Sequence, residues 1–367
     1  MYFDWASLEE DIRSENGKQS VLSKFPDSVG KDVASCVVKS LAQTLSVSVS
    51  NGEPSKLKGS RDVEWTMEVL CYGLSLPLIE TDTIKDCVNI YCKWLSALTK
   101  PELCVPEVII DDPNRYAQQI LLHLHNVFVP RQDSPVSLGH GNKTAVATFS
   151  DLVQRQALYC HRVLREVKST VENSSKISPE TWEVLLKFLL GICDVLLSPP
   201  TSRDSIGELL CYRVVEVLFE IWVLASERHF PAPSLWKTFR EMSRNWRHHE
   251  SLVIHWHRTN VALTSKLLKS VYGPDFPPLV TSKAIVCFIS LMLIVSSLKV
   301  ALSQSLILIV MLSVEEEQSL VSDSMSDDCV LQCWFRFLHI LSNPVDLSKP
   351  SVIGERPEFS IPILLLQ

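Results

Sequence analysis

The fold class is clearest from the stretch VQRQALYCHRVLREVKSTV, residues 153–171. Its apolar residues recur at intervals of three or four positions: Val153, Ala157, Cys160, Leu164, Val167 and Val171. This period places them on one face of an α-helix, whereas a half-buried strand would alternate every two positions. A helix with one apolar face must pack against other elements to remove that face from water. The stretch therefore predicts a packed helical protein.

Helical signals continue on both sides of this stretch. Ser178-Pro179 is typical of a helix start, because a cap acceptor is followed by proline in the first turn, and Gly273-Pro274 is typical of a stop. Residues 206–225 are apolar nearly all round, which predicts the most buried helix. Further helices are expected around 235–246 and 252–271, and over the apolar stripes Val29, Val33, Val37, Leu41 and Leu45; Ile84, Val88, Tyr91, Leu95 and Leu98; Tyr116, Ile120, Leu124 and Val127; and Trp182, Leu185, Leu189 and Leu196.

Successive amphipathic helices with short connections predict an all-α fold, since each apolar face needs a neighbouring helix. Two architectures satisfy this pattern: an irregular α-solenoid of armadillo or HEAT type, and a helical bundle. No clean repeat of about 40 residues is evident, so any solenoid must be irregular. The sequence leaves the choice between the two open.

The composition of the chain indicates its cellular compartment and excludes one class of partner. The chain has 367 residues, 46% hydrophobic and 21% charged, which is enough apolar mass for a large core. Its net charge of −7 argues against nucleic-acid binding, which needs a basic surface. The first ten residues have no basic and apolar signal pattern, and the eleven cysteines form no C-x-x-C pair. We therefore expect a cytoplasmic protein with buried, reduced thiols.

The C-terminal part contains one more helix and a sharp stop, in the tract CWFRFLHILSNPVDLSKP, residues 333–350. Its apolar face is formed by Val330, Trp334, Phe337 and Leu341. Asn343-Pro344 ends the helix, because the residue before proline is pushed out of the α region.

This tract also resembles the N-terminal region of the beta subunits of Ral GTPase-activating protein complexes. The other stretches that carry the resemblance are WTMEVLCYGLSLPL (65–78), NVFVPRQ (126–132), ETWEVLLKFLL (180–190), NWRHH (245–249) and ALTSKLLKSVYGPDFP (262–277). Three tracts do not show it: 132–150, 279–327 and 359–367. The resemblance indicates a truncated or alternatively spliced member of the family.

The resemblance implies a non-catalytic regulatory or scaffold subunit. In that family the subunit forms a heterodimer with an alpha subunit, which activates GTP hydrolysis on Ral-type small GTPases. The family's own GTPase-activating-type domain lies near the C-terminus of a much longer chain. No catalytic residue is therefore carried over to this sequence, and we expect no enzyme activity, cofactor or metal. The surface that meets the alpha subunit is not indicated.

The family-like and divergent tracts give the expected division of the chain. It consists of an N-terminal helical region (1–131), a loop insertion (132–150), a second helical region (151–278), an apolar and acidic insertion (279–327), a C-terminal helix and turn (328–358) and a divergent tail (359–367).

One segment of the insertion is unusually apolar. Residues 284–312 read AIVCFISLMLIVSSLKVALSQSLILIVML, with Lys299 as the single charge. Three interpretations stay open: a transmembrane or re-entrant helix, an additional buried helix, and a translated intron or alternative exon. They lead to two alternatives for the whole chain, a membrane-anchored helical interaction protein and a non-functional short isoform.

One cluster of histidines and one cluster of arginines are candidate sites for binding. His248, His249, His255 and His257 gather near Trp246 and Trp256, but their spacing does not place them on one helical face, so we expect packing and surface histidines rather than zinc ligands. Arg240, Arg244 and Arg247 lie on consecutive turns, which predicts either a solvated face or a docking site for an acidic partner. Trp236 and Trp246 are expected in the core.

Overall fold

A computed structural model describes residues 21–51, 54–131, 149–199, 205–273, 275 and 320–341. Within these ranges the chain forms eleven α-helices and no strand, which confirms the all-α prediction. The helices are α1 (Asp27–Asn51), α2 (Ser60–Leu74), α3 (Thr81–Leu95), α4 (Glu107–Asp111), α5 (Pro113–Leu124), α6 (Phe149–Asn173), α7 (Pro179–Leu197), α8 (Ile206–Arg228), α9 (Pro233–Asn245), α10 (Glu250–Tyr272) and α11 (Asp327–Leu338).

The helices pack in two layers. In one layer α2 packs on α5, α5 on α7, and α7 on α9. In the other, α3 packs on α6, α6 on α8, and α8 on α10, while α11 adds to α8 and α10. Each helix thus packs on its neighbours along the layer, as in a helical array, and connections of unequal length make the array irregular. Such arrays present long surfaces to partners.

Two helix ends agree with the signals in the sequence, whereas α11 ends at Leu338, before Asn343-Pro344, which lies outside the described residues. Ser178 Oγ accepts a hydrogen bond from the Thr181 backbone N–H at 3.3 Å, and Pro179 occupies the first turn of α7. At the end of α10, Gly273 has φ of 100°, and its N–H donates to the Lys269 carbonyl at 2.9 Å. This backbone conformation favours glycine, so the predicted stop is confirmed.

The predicted apolar faces are buried in most helices. Along α6, all six residues of the opening stripe are at most 6% exposed, and the stripes of α3, α5 and α7 are buried as well. Helix α8 has the longest set of buried residues, as expected for an apolar helix in the middle of the array.

The predicted face of α1 is confirmed in part, since Val37, Leu41 and Leu45 are half-buried and pack against the core. Val29 is 47% exposed, whereas Gly30, Ala34 and Val38 are buried. The cause is the close approach of Tyr72 on α2, since a Cβ added at Gly30 would lie 2.5 Å from the Tyr72 hydroxyl oxygen. Gly30 and Ala34 therefore share the most buried face of this helix with Val38.

An aromatic cluster holds α11 against the array. The Phe337 ring lies 5.1 Å from the Trp236 ring and 5.6 Å from the Phe219 ring, centroid to centroid, and Phe239 is 6.4 Å away. Phe337 is fully buried, and so is Trp246 just after α9, while Trp236 is 3% exposed. The expectation that Trp236 and Trp246 belong to the core is confirmed.

The described residues that flank 276–319 contact each other. Ser270 Oγ donates to Asp327 Oδ2 at 2.5 Å, and Lys266 Nζ donates to the Ser322 carbonyl at 2.7 Å. The apolar segment 284–312, most of the loop insertion 132–150 and the tail 359–367 lie outside the described residues. In the part of the chain that is described, no helix combines the length and apolarity needed to cross a membrane.

Helices α2, α3 and α5 share a buried hydrogen-bond chain, and we expect its loss to be measurable. Tyr91 Oη donates to the Met67 carbonyl at 3.0 Å and lies 2.6 Å from His123 Nδ1. Because a hydroxyl has one hydrogen, His123 Nδ1 must carry the proton of the second bond. Tyr91→Phe should lower the free energy of unfolding in urea by about 1–3 kcal/mol. Tyr159→Phe, which removes a single part-buried bond to the Thr81 carbonyl, should cost less; equal losses would contradict the expectation.

Candidate interaction surface

The three arginines singled out in the sequence lie together, and we call them the arginine ridge: Arg240, Arg244 and Arg247. Arg240 and Arg244 occupy successive turns of α9, and Arg247 follows in the turn before α10. Arg244 is exposed, while Arg240 and Arg247 are half-buried. Arg247 Nη2 donates to the Leu341 carbonyl at 3.2 Å, just beyond the end of α11. One end of the ridge, at Arg247, therefore contacts the segment that follows α11.

In the part of the chain that the structure describes, the positive charge of the ridge is not balanced by a nearby carboxylate. Burial, and then the charges of Arg244 and Arg240, lower the pKa of Arg247. The Nε atoms of Arg240 and Arg247 are buried without a hydrogen-bond partner. Among the described residues no carboxylate pairs with any ridge arginine, whereas cations elsewhere in the array do find one, as Lys168 Nζ does with Glu220 Oε2 at 2.8 Å. The ridge consequently has capacity for an anion.

A second charge cluster pairs two arginines with one glutamate inside the array. Arg213 pairs with Glu216 on α8, and Arg258 Nη1 on α10 lies 3.8 Å from Glu216 Oε1. The three-residue spacing of Arg213 and Glu216 was visible in the sequence as a helical ion pair. The partnership with Arg258 depends on the packing of α8 on α10, so no local signal could have identified it.

The four histidines do not converge. His248 and His249 are adjacent, with ring centroids 4.1 Å apart, and a His249 ring nitrogen lies 3.1 Å from the Leu197 carbonyl oxygen. His255 instead packs on the Tyr212 ring, at 4.6 Å between centroids. Within the described ranges, no group of three or more His, Cys, Asp or Glu side chains is arranged to hold a metal ion. The cysteines described are free thiols, and all except Cys36 and Cys329 are buried.

His255 should make the stability of the fold sensitive to acid. Burial, followed by the charges of Arg258 and Arg213, lowers its pKa to about 3. Below pH 6.5 the His255 imidazole binds a proton in the unfolded chain but not in the folded chain. The free energy of unfolding therefore falls as pH falls, by up to about 1.4 kcal/mol per pH unit, until the pH reaches the pKa of the folded state. Unfolding free energies of His255→Asn between pH 7.5 and pH 4.5 should show a shallower slope than the parent chain. The exposed His229→Asn serves as control, and parallel slopes for all three proteins would refute the assignment.

Comparison with known proteins gives a consistent result. Residues 152–274, which include the arginine ridge, match a family model described as the RALGAPB N-terminal domain. The chain is 43% identical over 359 residues to Ral GTPase-activating protein subunit beta of Mus musculus and 42% identical to that of Homo sapiens. These alignments cover 98% of this chain and 21% of each relative, so the chain spans about a fifth of their length.

Two further findings qualify the match. The alignment leaves out so few residues that it extends across 132–150 and 279–327, and the expected divergence of these two tracts stays a prediction. A weaker similarity, 24% identity over 135 residues, links the chain to Ral GTPase-activating protein subunit alpha-2 of Rattus norvegicus, of which it covers 7%. No solved structure matches the chain.

Proposed function

We propose that this chain, which is similar along nearly its whole length to the N-terminal region of Ral GTPase-activating protein subunit beta, is a regulatory subunit of a complex that activates GTP hydrolysis on Ral-type small GTPases. The observation that carries the proposal is the 43% identity over 98% of the chain. In this proposal the chain is non-catalytic and serves as a helical scaffold. The two-layer packing supports that role, because arrays of this kind offer extended surfaces for partners.

The proposed partner is a catalytic alpha subunit, with which the chain forms a heterodimer. The weak similarity to an alpha-2 subunit supports a common origin for a helical region in both subunits. In this scheme the alpha subunit lowers the barrier to GTP hydrolysis, and the Ral-type GTPase contacts this chain only through the complex. No cofactor or nucleic acid takes part.

Co-purification and GTP hydrolysis together test the proposal. The chain is co-expressed with a tagged alpha subunit, and Ral GTP hydrolysis is then measured with the chain alone, the alpha subunit alone and the pair. We expect the pair to co-purify and the chain alone to leave hydrolysis at its intrinsic rate. Acceleration by the chain alone would refute the non-catalytic role, and absence of co-purification would refute the partnership.

A cytoplasmic location is part of the proposal, and residues 284–312 provide the alternative, a membrane-anchored helical interaction protein. Their length and apolarity meet the requirement of a span of about 20 residues. If this segment inserts, the protein should stay in carbonate-washed membranes, and deletion of 284–312 should release it. Recovery of the intact chain in the soluble fraction would favour the cytoplasmic location.

A further inference from the structure

The arginine ridge gathers three cations on adjacent turns, and its local balance of charge differs from that of the cationic side chains that pair with a glutamate. Lys31, Lys93 and Arg115 each lie within 2.9 Å of a glutamate oxygen on another element. The ridge arginines have no such neighbour among the described residues, although the whole chain carries a net charge of −7. Three like charges on adjacent turns repel one another, so the folded chain retains an electrostatic cost that an external anion would relieve.

The geometry of the ridge defines the kind of anion. Arg240 and Arg244 are four residues apart on α9, which separates them by about 6 Å along the helix axis. Guanidinium groups bind carboxylates through two parallel hydrogen bonds, so each arginine matches one aspartate or glutamate. A partner helix with acidic residues at the same four-residue spacing would present its carboxylates at the same separation. The half-buried stems of Arg240 and Arg247 restrict the side chains before binding, which lowers the ordering cost.

We propose that the arginine ridge is a docking surface for an acidic α-helix of the partner subunit, with Arg240, Arg244 and Arg247 each pairing with a carboxylate. The inference rests on the proposed function for the identity of the partner, and on the ridge itself for its chemistry. A protein helix is favoured over an anionic membrane for two reasons. Arg240 and Arg244 have the fixed four-residue spacing of a helix, and the net charge of −7 opposes approach of the whole chain to an anionic surface.

Binding of a defined peptide tests the chemistry of the ridge. The probe is a fluorescent helical peptide with glutamates at four-residue spacing, and its binding to the full chain is followed by anisotropy at several salt concentrations. The triple variant Arg240→Glu, Arg244→Glu and Arg247→Glu should bind at least about tenfold more weakly than the parent chain, and added salt should weaken the parent's binding. Arg244→Glu alone, at an exposed position, should give a smaller loss in the same direction.

A matched control separates the ridge from general charge effects. Lys39→Glu, Arg61→Glu and Lys85→Glu change the net charge equally on exposed positions of α1, α2 and α3, and binding should stay within about twofold of the parent. Melting curves establish whether each variant is folded. If the triple variant is not folded, peptide binding by Arg244→Glu provides the test of the ridge. Equal peptide binding by the ridge and control variants, or no binding by the parent, would overturn the proposal.

The alpha subunit provides a second, independent readout. We expect the control variant to co-purify with it and the ridge variant to lose it. If both variants co-purify equally, the ridge is not the docking surface and the proposed function stands. If the parent chain itself fails to co-purify, the proposed function fails. The peptide result alone then decides whether the ridge binds an acidic helix. Binding to phosphatidylserine vesicles that depends on the ridge, without peptide binding that depends on it, would overturn the proposal. It would indicate that the ridge binds anionic lipid rather than an acidic helix.

Discussion

Replacement of Phe337 by alanine is expected to lower the free energy of unfolding by about 3–5 kcal/mol, the usual range for a fully buried phenylalanine. The Phe337 side chain is 0% exposed and contacts rings on both α8 and α9. Its removal leaves a cavity between α8, α9 and α11. The aromatic contacts add to the loss, because edge-to-face pairs contribute beyond the area that they bury.

Chemical denaturation measures the effect, and a residue on the same helix provides the control. Phe335 is 48% exposed, so Phe335→Ala should change the free energy of unfolding by no more than about 0.5 kcal/mol. Hydrogen exchange in α11 would show whether the loss is confined to that helix or spreads through the array. Similar losses for Phe335→Ala and Phe337→Ala would contradict the assignment of Phe337 to the core.

The sequence predicts the buried faces well where apolar side chains themselves make the contact. In α6 the stripe from Val153 to Val171 is buried throughout, because each large residue faces the neighbouring helices. In α1 the same reasoning selects Val29, which is exposed, since the contact with Tyr72 needs the small Gly30. Periodicity reports hydrophobic faces and is insensitive to contacts made through small residues. Such contacts become visible only when the partner helix is placed.

The candidate interaction surface was predictable only in part. The four-residue spacing of Arg240 and Arg244 places them on one face of a helix. Whether such a face is neutralised depends on acidic residues brought close by tertiary packing, as Glu216 is for Arg258 across α8 and α10. Arg228 illustrates the same limit: it donates to the carbonyls of Val171 and Ser174 at the end of α6, more than fifty residues earlier in the chain. Charge balance is a tertiary property, so the sequence could not distinguish a solvated ridge from a docking surface.

Gly207→Ala is expected to destabilise the array by about 2 kcal/mol or more, at the upper part of the range for overpacked sites. A Cβ at Gly207 would lie 2.1 Å from the Leu196 carbonyl oxygen, where α8 begins against the end of α7. Alanine is the better helix former by up to about 1 kcal/mol, so intrinsic propensity alone would predict stabilisation. The cost of the clash exceeds the gain in helix propensity because the clash is with backbone, which can move only if the two helices separate.

Gly73→Ala is the matched comparison for this prediction, because Gly73 is also a helical glycine at a helix–helix contact. Its added Cβ would lie 2.6 Å from Cys87 Sγ, which belongs to a side chain that can rotate. Urea denaturation should therefore show a clearly smaller loss for Gly73→Ala than for Gly207→Ala, although both gain the same helix propensity. An unchanged or raised free energy of unfolding for Gly207→Ala would mean that α7 and α8 do not approach this closely. The comparison between the two variants therefore separates the cost of a clash with backbone from the cost of a clash with a side chain, at two helix contacts of the same fold.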